Sequence, residues 1–249
     1  MKSTIQNSMK SSINEKGFTL VEIAVVLVIV GLLVGSFIGT FAERIETTRR
    51  DNTANELGEI KQVLMAYGYT NSPVYLPCPD TNLPPDGIED RDVAGNCIAG
   101  TAVGTLPWVS LGMAQSDAWN NRYSYWVNPD FATDTGFDLS TSDVNSAQVN
   151  TRINNLAVAL ATNAAAVVFS RGENGLGGVS IEGVNREAIP APGNGHDDEI
   201  ENADANSIFM SRFKTEEGVA AAGGAFDDIL MWINSYELKA KMVEAGVLP

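Results

Sequence analysis

The densest run of potential metal ligands is GNGHDDEIENADAN, at residues 193–206. Calcium takes six to eight oxygen ligands, often from flexible loops, and this stretch supplies carboxylates at a comparable density. Its spacing does not follow the EF-hand pattern, and a solvated acidic loop is the alternative interpretation. Calcium is therefore the one cofactor that the sequence suggests, with these candidate ligands: Asp197, Asp198, Glu199, Glu201 and Asp204.

The residues needed for nucleophilic catalysis are sparse. A Ser-His-Asp arrangement would have to use the single histidine, His196, which lies in a polar loop flanked by glycine. No G-x-S-x-G or H-E-x-x-H motif occurs, and GENGLGG at 172–178 lacks the Lys-Ser/Thr of a phosphate-binding loop. We predict no catalytic residues and no enzyme activity. A membrane-anchored periplasmic enzyme or binding protein is the competing class.

Two cysteines, Cys78 and Cys97, lie in a stretch rich in proline, glycine and aspartate. If this region is outside the cytoplasm, they are expected to form a disulfide. The closed loop of about 20 residues would contribute roughly 3 kcal/mol in the chain-entropy model. A zinc site is disfavoured because the chain has no C-x-x-C motif and His196 is distant in sequence.

A glutamate, Glu22, interrupts an apolar run at 18–42 that is long enough to cross a bilayer as a helix. A carboxylate near the bilayer centre costs roughly 2.5–3.5 kcal/mol on insertion scales, so it needs a partner. Lysines precede the run, which places residues 1–17 in the cytoplasm. A cleaved secretory signal is disfavoured because the run is too long and TFA at 40–42 is a poor cleavage site. A plain uncleaved anchor would leave Glu22 unexplained.

The segment KGFTLVEIAVVLVIVGLL resembles the processing motif of type IV pilins and type II secretion pseudopilins. The resemblance implies that residues 1–17 are a leader ending at Gly17, which a membrane aspartyl prepilin peptidase removes. It also implies that the new terminal residue, Phe18, is N-methylated. The glutamate of that family lies four residues further on, which is the position of Glu22.

The resemblance suggests a partner for Glu22. The methylated amine of Phe18 remains protonated near neutral pH, and in a filament it could lie beside Glu22 of a neighbouring subunit. Two charges that are each costly in lipid would then neutralise one another and fix the register between subunits. An intrachain contact is the simpler alternative, because Phe18 and Glu22 are one helical turn apart.

Glycines recur every four residues in the same run, at Gly31, Gly35 and Gly39. Such spacing lets helices approach closely, although glycine is also generally frequent in membrane helices. Many pilins have proline where this chain has Gly39, so the family's helix kink is not implied here.

The elements around these residues predict an α+β, pilin-like fold, in which a long amino-terminal helix packs on a small antiparallel sheet. Leu57, Ile60, Leu64 and Tyr67 follow helical spacing, which extends the helix to about residue 69. Strands are predicted near 123–126, 165–170, 206–213 and 226–233, with a short helix before the second and a closing helix at 235–247. The predicted segments are a leader (1–17), a membrane helix (18–42), an amphipathic extension (43–69) and a head (70–249).

The stretch DAWNNRYSY at 117–125 is similar to the tryptophan–turn–tyrosine segment of the major secretion pseudopilins. Ala118 and Asn120 depart from the D-P-W-G turn of that family. Core packing is the alternative role for these aromatic residues.

The formal net charge is −15, although residues 1–17 alone contribute +2. A surface this acidic disfavours binding to nucleic acid. The resemblance implies a minor pilin held in the bacterial inner membrane with a periplasmic head and then assembled into a pilus. A type II secretion pseudopilin in a pseudopilus is the alternative. Its partners would be other pilin or pseudopilin subunits, prepilin peptidase, an inner-membrane assembly platform and membrane lipid. Cell adhesion is one role that the sequence leaves open.

Overall fold

The computed structural model describes residues 17–100, 102–204 and 206–249, without the side chains of 36–40 and 42. Apart from Gly17, the predicted leader lies outside these residues. The chain divides into two compact units, Met1–Thr47 and Thr48–Pro249, each with its own set of internal contacts.

One helix, α1 (Leu20–Thr70), contributes to both units. The sequence predicted a helix over 18–69, and the two ranges differ by no more than the usual uncertainty at helix ends. In the first unit, the apolar side chains between Leu20 and Val34 are exposed. In the second unit, the helical stripe of Leu57, Ile60 and Leu64 is completely buried.

Among the described residues, no helix combines the length and hydropathy needed to cross a membrane. The membrane helix predicted at 18–42 includes positions 36–40 and 42, whose side chains lie outside the description. Gly39 of the predicted glycine series falls in the same gap.

The described part of the second unit contains six strands and three further α-helices. In chain order they are β1 (Gly104–Thr105), α2 (Trp108–Leu111), β2 (Ser124–Val127), β3 (Ala147–Ile153), β4 (Leu156–Ser170), α3 (Asp197–Ala203), β5 (Ile208–Met210), β6 (Ile229–Asn234) and α4 (Ser235–Glu244).

The six strands form one sheet in the order β1-β2-β4-β3-β5, with β6 also paired to β4. All pairs are antiparallel except β3 with β5, which is parallel. The prediction of an antiparallel sheet is therefore corrected to a mixed sheet. The parallel pair arises because the long connection between β4 and β5, which contains α3, returns the chain to the opposite end of the sheet.

The predicted short helix after residue 152 is also wrong, since β3 and β4 form a hairpin there. Two residues connect these strands, Asn154 and Asn155, and their φ angles are 51° and 66°. Positive φ at both positions is the requirement of a type I′ turn, whose twist matches that of the paired strands. The alanine-rich sequence that follows favours a helix locally, but the asparagine pair closes a hairpin instead.

The second half of β4 is buried on both faces. Ala166 and Val168 face a core that includes the buried residues of α1. Val167 and Phe169 face a second core with Phe209 and other side chains. Each large apolar side chain buried in this way contributes about 1.5–3 kcal/mol. The sheet is therefore the layer that holds the two cores together.

The long connection 70–108 is fixed by the predicted disulfide between Cys78 and Cys97, whose Cα atoms are 5.2 Å apart. Both cysteine side chains are buried. The guanidinium of Arg91 adds hydrogen bonds to the carbonyls of Leu76 and Gly95. These contacts hold a segment that has little regular secondary structure.

Candidate functional site

The predicted processing site lies at the exposed start of α1. Gly17 has open space around it, since a Cβ atom there would meet nothing within 4 Å. The side chain of Phe18 is 77% exposed. Both residues precede the first helical residue, Leu20, so the Gly17–Phe18 peptide bond is in non-helical backbone. A peptidase needs an accessible, extended bond of this kind.

Glu22 forms a capping box with Thr19. The Thr19 N–H donates to Glu22 Oε2 at 3.4 Å, and the Glu22 N–H donates to Thr19 Oγ1 at 3.3 Å. These reciprocal bonds satisfy two amide groups that the first turn of a helix leaves without a helical acceptor. Sequence reasoning considered Phe18 as the intrachain partner of Glu22 and missed Thr19. The spacing T-x-x-E before an apolar run was the available signal.

The apolar surface of the first unit is uncovered by any other described residue in that unit. Its large apolar side chains are between 46% and 87% exposed, from Ile23 at the lower limit to Leu20 at the upper. A Cβ atom at Gly31 or Gly35 would meet nothing within 4 Å. A helix that is apolar all round is expected to be buried in its working state.

The structure does not gather the five predicted calcium ligands. Asp197 is exposed and accepts a hydrogen bond from the Gly193 N–H. Asp198 is buried and forms ion pairs with Arg152 and Arg212, each with a shortest distance of 2.6 Å. The remaining members face different neighbours: Glu201 and Asp204 bind the Asn206 amide, and Glu199 turns inward.

Glu199 instead joins a buried group of carboxylates with Asp227 and Asp228. One carboxylate oxygen from each residue lies within 4.8 Å of the others. Glu199 accepts hydrogen bonds from the Asp227 N–H at 2.7 Å and from the Asn174 side chain at 3.0 Å. His196 Nδ1 lies 2.9 Å from the same carboxylate. The cluster is thus built by α3 and by the residues just before β6.

Burial controls protonation in this cluster. It raises the pKa of Asp227 to about 7, and the nearby charge of Glu199 acts in the same direction. Burial also raises the pKa of Asp228 well above its usual range, although the positive charge of Arg171 opposes this. The Oδ1 atoms of Asp227 and Asp228 have no hydrogen-bond donor. The carboxylates could hold a metal ion, but nothing in their arrangement selects calcium.

Asp227 and Asp228 were not among the predicted site residues, because FDDILMWI was interpreted as a strand. The apolar part does form β6, which begins one residue after the acidic pair. Two adjacent acidic residues at the start of an apolar strand were the available signal, since burial would leave their charges in need of partners.

The segment that resembles pseudopilins forms a turn organised by Asp117. Its Oδ1 accepts hydrogen bonds from the N–H groups of Trp119 and Asn121, at 2.9 and 2.8 Å. Its Oδ2 accepts from the Ser170 hydroxyl at 2.6 Å. Asn120 takes a left-handed conformation, with φ of 64°. The turn thereby directs the chain into β2, and the aromatic residues around it are buried.

A family model for the prokaryotic N-terminal methylation motif matches residues 13–38. No curated protein and no solved structure matches the chain. The matched range contains Gly17, Phe18 and Glu22, and it ends within α1. The chain therefore carries the prokaryotic N-terminal methylation motif, which is the signature of type IV pilins and pseudopilins.

Proposed function

We propose that this chain is a structural subunit of a type IV pilus-like filament and that it is made as a prepilin in the bacterial inner membrane. Prepilin peptidase removes residues 1–17, Phe18 is N-methylated, and an assembly platform adds the subunit to the filament. The observation that carries the proposal is the methylation motif at 13–38. Cleavage after Gly17 would leave 232 of the 249 residues. This size, large for a major pilin, favours a minor subunit.

The exposed apolar part of α1 supports assembly through this helix. Its side chains would contact lipid before assembly and the helices of neighbouring subunits afterwards. Exchange of lipid for protein gives little hydrophobic gain, so close packing has to provide the attraction. Gly31 and Gly35, together with the predicted Gly39, would supply the small residues that permit close approach.

The capping box suggests how Glu22 is accommodated before assembly. In the single chain, Thr19 and the positive end of the helix dipole stabilise the carboxylate. Cleavage would add a cationic amine at Phe18, one residue before the cap. Within a filament, that amine of one subunit would approach Glu22 of the next, as the register hypothesis requires.

Mass spectrometry of the chain purified from membranes of its native host tests the proposal. The expected product begins at Phe18 and carries one added methyl group. The Gly17→Ala chain should retain its leader, whereas the matched Gly31→Ala chain should be processed normally. A wild-type product that still begins at Met1, in cells that process other prepilins, would contradict the proposal.

A pseudopilin of a type II secretion system is the second candidate. It is favoured by the turn at Asp117, where a buried aspartate and Trp119 precede a strand as in the resembled segment. Deletion of the gene separates the two candidates. Loss of surface pili or of adhesion supports the pilin, and loss of protein secretion with intact pili supports the pseudopilin.

A further inference from the structure

The first half of β4 forms an uncovered sheet edge. Ala164 pairs with Ala147 of β3 on one side and with Asn234 of β6 on the other. From there back to Leu156, β4 retains β3 as its partner, but β6 has already ended. Within the described part of the chain, no strand pairs with the second side of residues 156–163. The backbone there is available to another strand.

This edge also carries exposed apolar side chains. Leu156, Val158 and Leu160 are 69%, 40% and 50% exposed and alternate along β4, so they share one face of the sheet. Ile153, which lies opposite Leu156 in the hairpin, is 53% exposed. The segment LAVALATN at 156–163 has no charged residue, although the chain as a whole has a net charge of −15.

The hairpin that presents the edge is held in place at its base. Arg152 Nη2 lies 2.6 Å from Asp198 Oδ1, and its Nη1 donates to the Asn155 carbonyl at 3.2 Å. Asp198 is itself buried and also paired with Arg212. The type I′ turn limits the motion of the tip. The edge is therefore presented in a fixed register.

Protective features common on free sheet edges are missing from this segment. Lysine, proline and inward-pointing charges usually prevent pairing with a second chain, and residues 156–163 contain none of them. The register irregularities of the β3–β4 pair lie at its other end, near Ala147 and Val149. Such an edge is stable in solution only where a partner covers it or where its pairing is weak.

We propose that this edge pairs with the same edge of a second copy of the chain, antiparallel and centred on Ala159. A two-fold axis perpendicular to the sheet at this residue places Val158 of each copy opposite Leu160 of the other. The apolar stripes of the two hairpins then join on one face, which stabilises a β-pair. No like charges meet along the paired strands, so this edge lets two strongly acidic molecules approach.

The paired area is small. Strands of seven or eight residues bury less surface than a stable dimer in solution needs. The contact therefore forms where copies are concentrated, as when they are held in one membrane, and in this respect the inference rests on the proposed function. An extended strand of a different protein is the competing occupant.

Cysteine cross-linking tests the pairing in full-length chain embedded in membranes. The only two native cysteines are joined to each other, so one introduced cysteine gives one reactive thiol. In the A159C chain, the two thiols would face one another at a Cα separation compatible with a disulfide. Oxidation should give a disulfide-linked homodimer on a non-reducing gel.

The A157C chain is the matched control. In the proposed register Ala157 faces Ala161 of the other copy, which leaves the two introduced cysteines about 13 Å apart. The A159C dimer should exceed the A157C dimer by about tenfold, since a disulfide requires Cα atoms within about 7 Å. Mixing A157C with A161C chains should restore cross-linking. Equal yields from A157C and A159C, no dimer from A159C, or only an adduct with another protein would overturn the proposal.

Combination with Gly17→Ala separates this inference from the proposed function. A membrane-held chain that keeps its leader should still give the A159C dimer. If Gly17→Ala has no effect on processing, the proposed function fails. If A159C does not cross-link while processing depends on Gly17, only the edge pairing fails.

Discussion

Thr19 and Glu22 exchange hydrogen bonds across the first turn of α1, so the acidic residue of the methylation motif is a helix cap within its own chain. The two side chains therefore have separable roles. Thr19 serves the helix of a single subunit, whereas Glu22 serves both that helix and the proposed contact between subunits.

We expect Thr19→Ala to weaken the start of α1 by about 1 kcal/mol, because a capping side chain is lost. Faster hydrogen exchange at the first amides of the helix would measure this. Assembly into filaments should continue, since Glu22 remains. Thr47→Ala, which removes a hydroxyl bonded within the helix to the Glu43 carbonyl, is the control and should leave those amides unchanged. Loss of filaments in the Thr19→Ala chain would show that the cap itself is needed for assembly.

A bulky residue at Gly35 should block close helix packing without unfolding the subunit. The space around Gly35 is open in the single chain, so Gly35→Leu creates no clash there. We expect normal processing at Gly17 and at least about a tenfold loss of filament, if interhelical contact depends on small residues. Val26→Leu is the control for added volume. Equal filament yields from both variants would contradict a packing role for Gly35.

The buried carboxylates predict a stability that falls as pH rises. Because the pKa of Asp227 is raised to about 7, the folded chain keeps a proton that the unfolded chain releases near pH 4. Stability from this group is fully present below about pH 4 and is lost as pH rises through about 7. We expect the free energy of unfolding to decrease by on the order of 1–3 kcal/mol between pH 5 and pH 8.

Urea denaturation of full-length chain in detergent at the two pH values measures this dependence. The Asp227→Asn chain should have a smaller decrease, since an amide cannot lose the proton. Glu217→Gln, at an exposed position, should retain the full decrease. The interpretation would be wrong if Asp227→Asn and wild type had the same pH dependence.

The neighbouring residues Asp197 and Asp198 should differ sharply in their contribution to stability. Asp198→Ala leaves Arg152 and Arg212 without their shared buried partner, which we expect to cost about 3–5 kcal/mol. Asp197→Ala changes an exposed side chain and should cost less than about 0.5 kcal/mol. Thermal unfolding measures both. Similar losses, each restored by added calcium, would support the five-residue calcium site predicted from the sequence instead.

Local signals in the sequence were sufficient for some parts of the structure. The spacing of Leu57, Ile60 and Leu64 predicted the buried stripe of α1, and the two cysteines predicted the disulfide. The motif around Gly17 and Glu22 is confirmed by the matched family model. In each case a short stretch of sequence, or a pair of residues with few alternative partners, contains the information.

Other parts depend on contacts between distant residues. Glu199 and Asp227 are separated by 28 positions, and only the fold shows that both face the same buried space. The parallel pairing of β5 with β3 follows from the path of a long connection, which no local pattern specifies. At Asn154 and Asn155, a turn signal was present but was outweighed by the alanine-rich sequence after it.

Incorporation of the Glu22→Ala chain into filaments, measured beside wild type in the same cells, tests the central claim most directly. The account predicts that this chain is processed at Gly17 but is reduced about tenfold or more in purified filaments, because the neighbouring subunit's amine lacks its counter-charge. Incorporation equal to that of wild type would contradict the claim that Glu22 fixes the register between subunits.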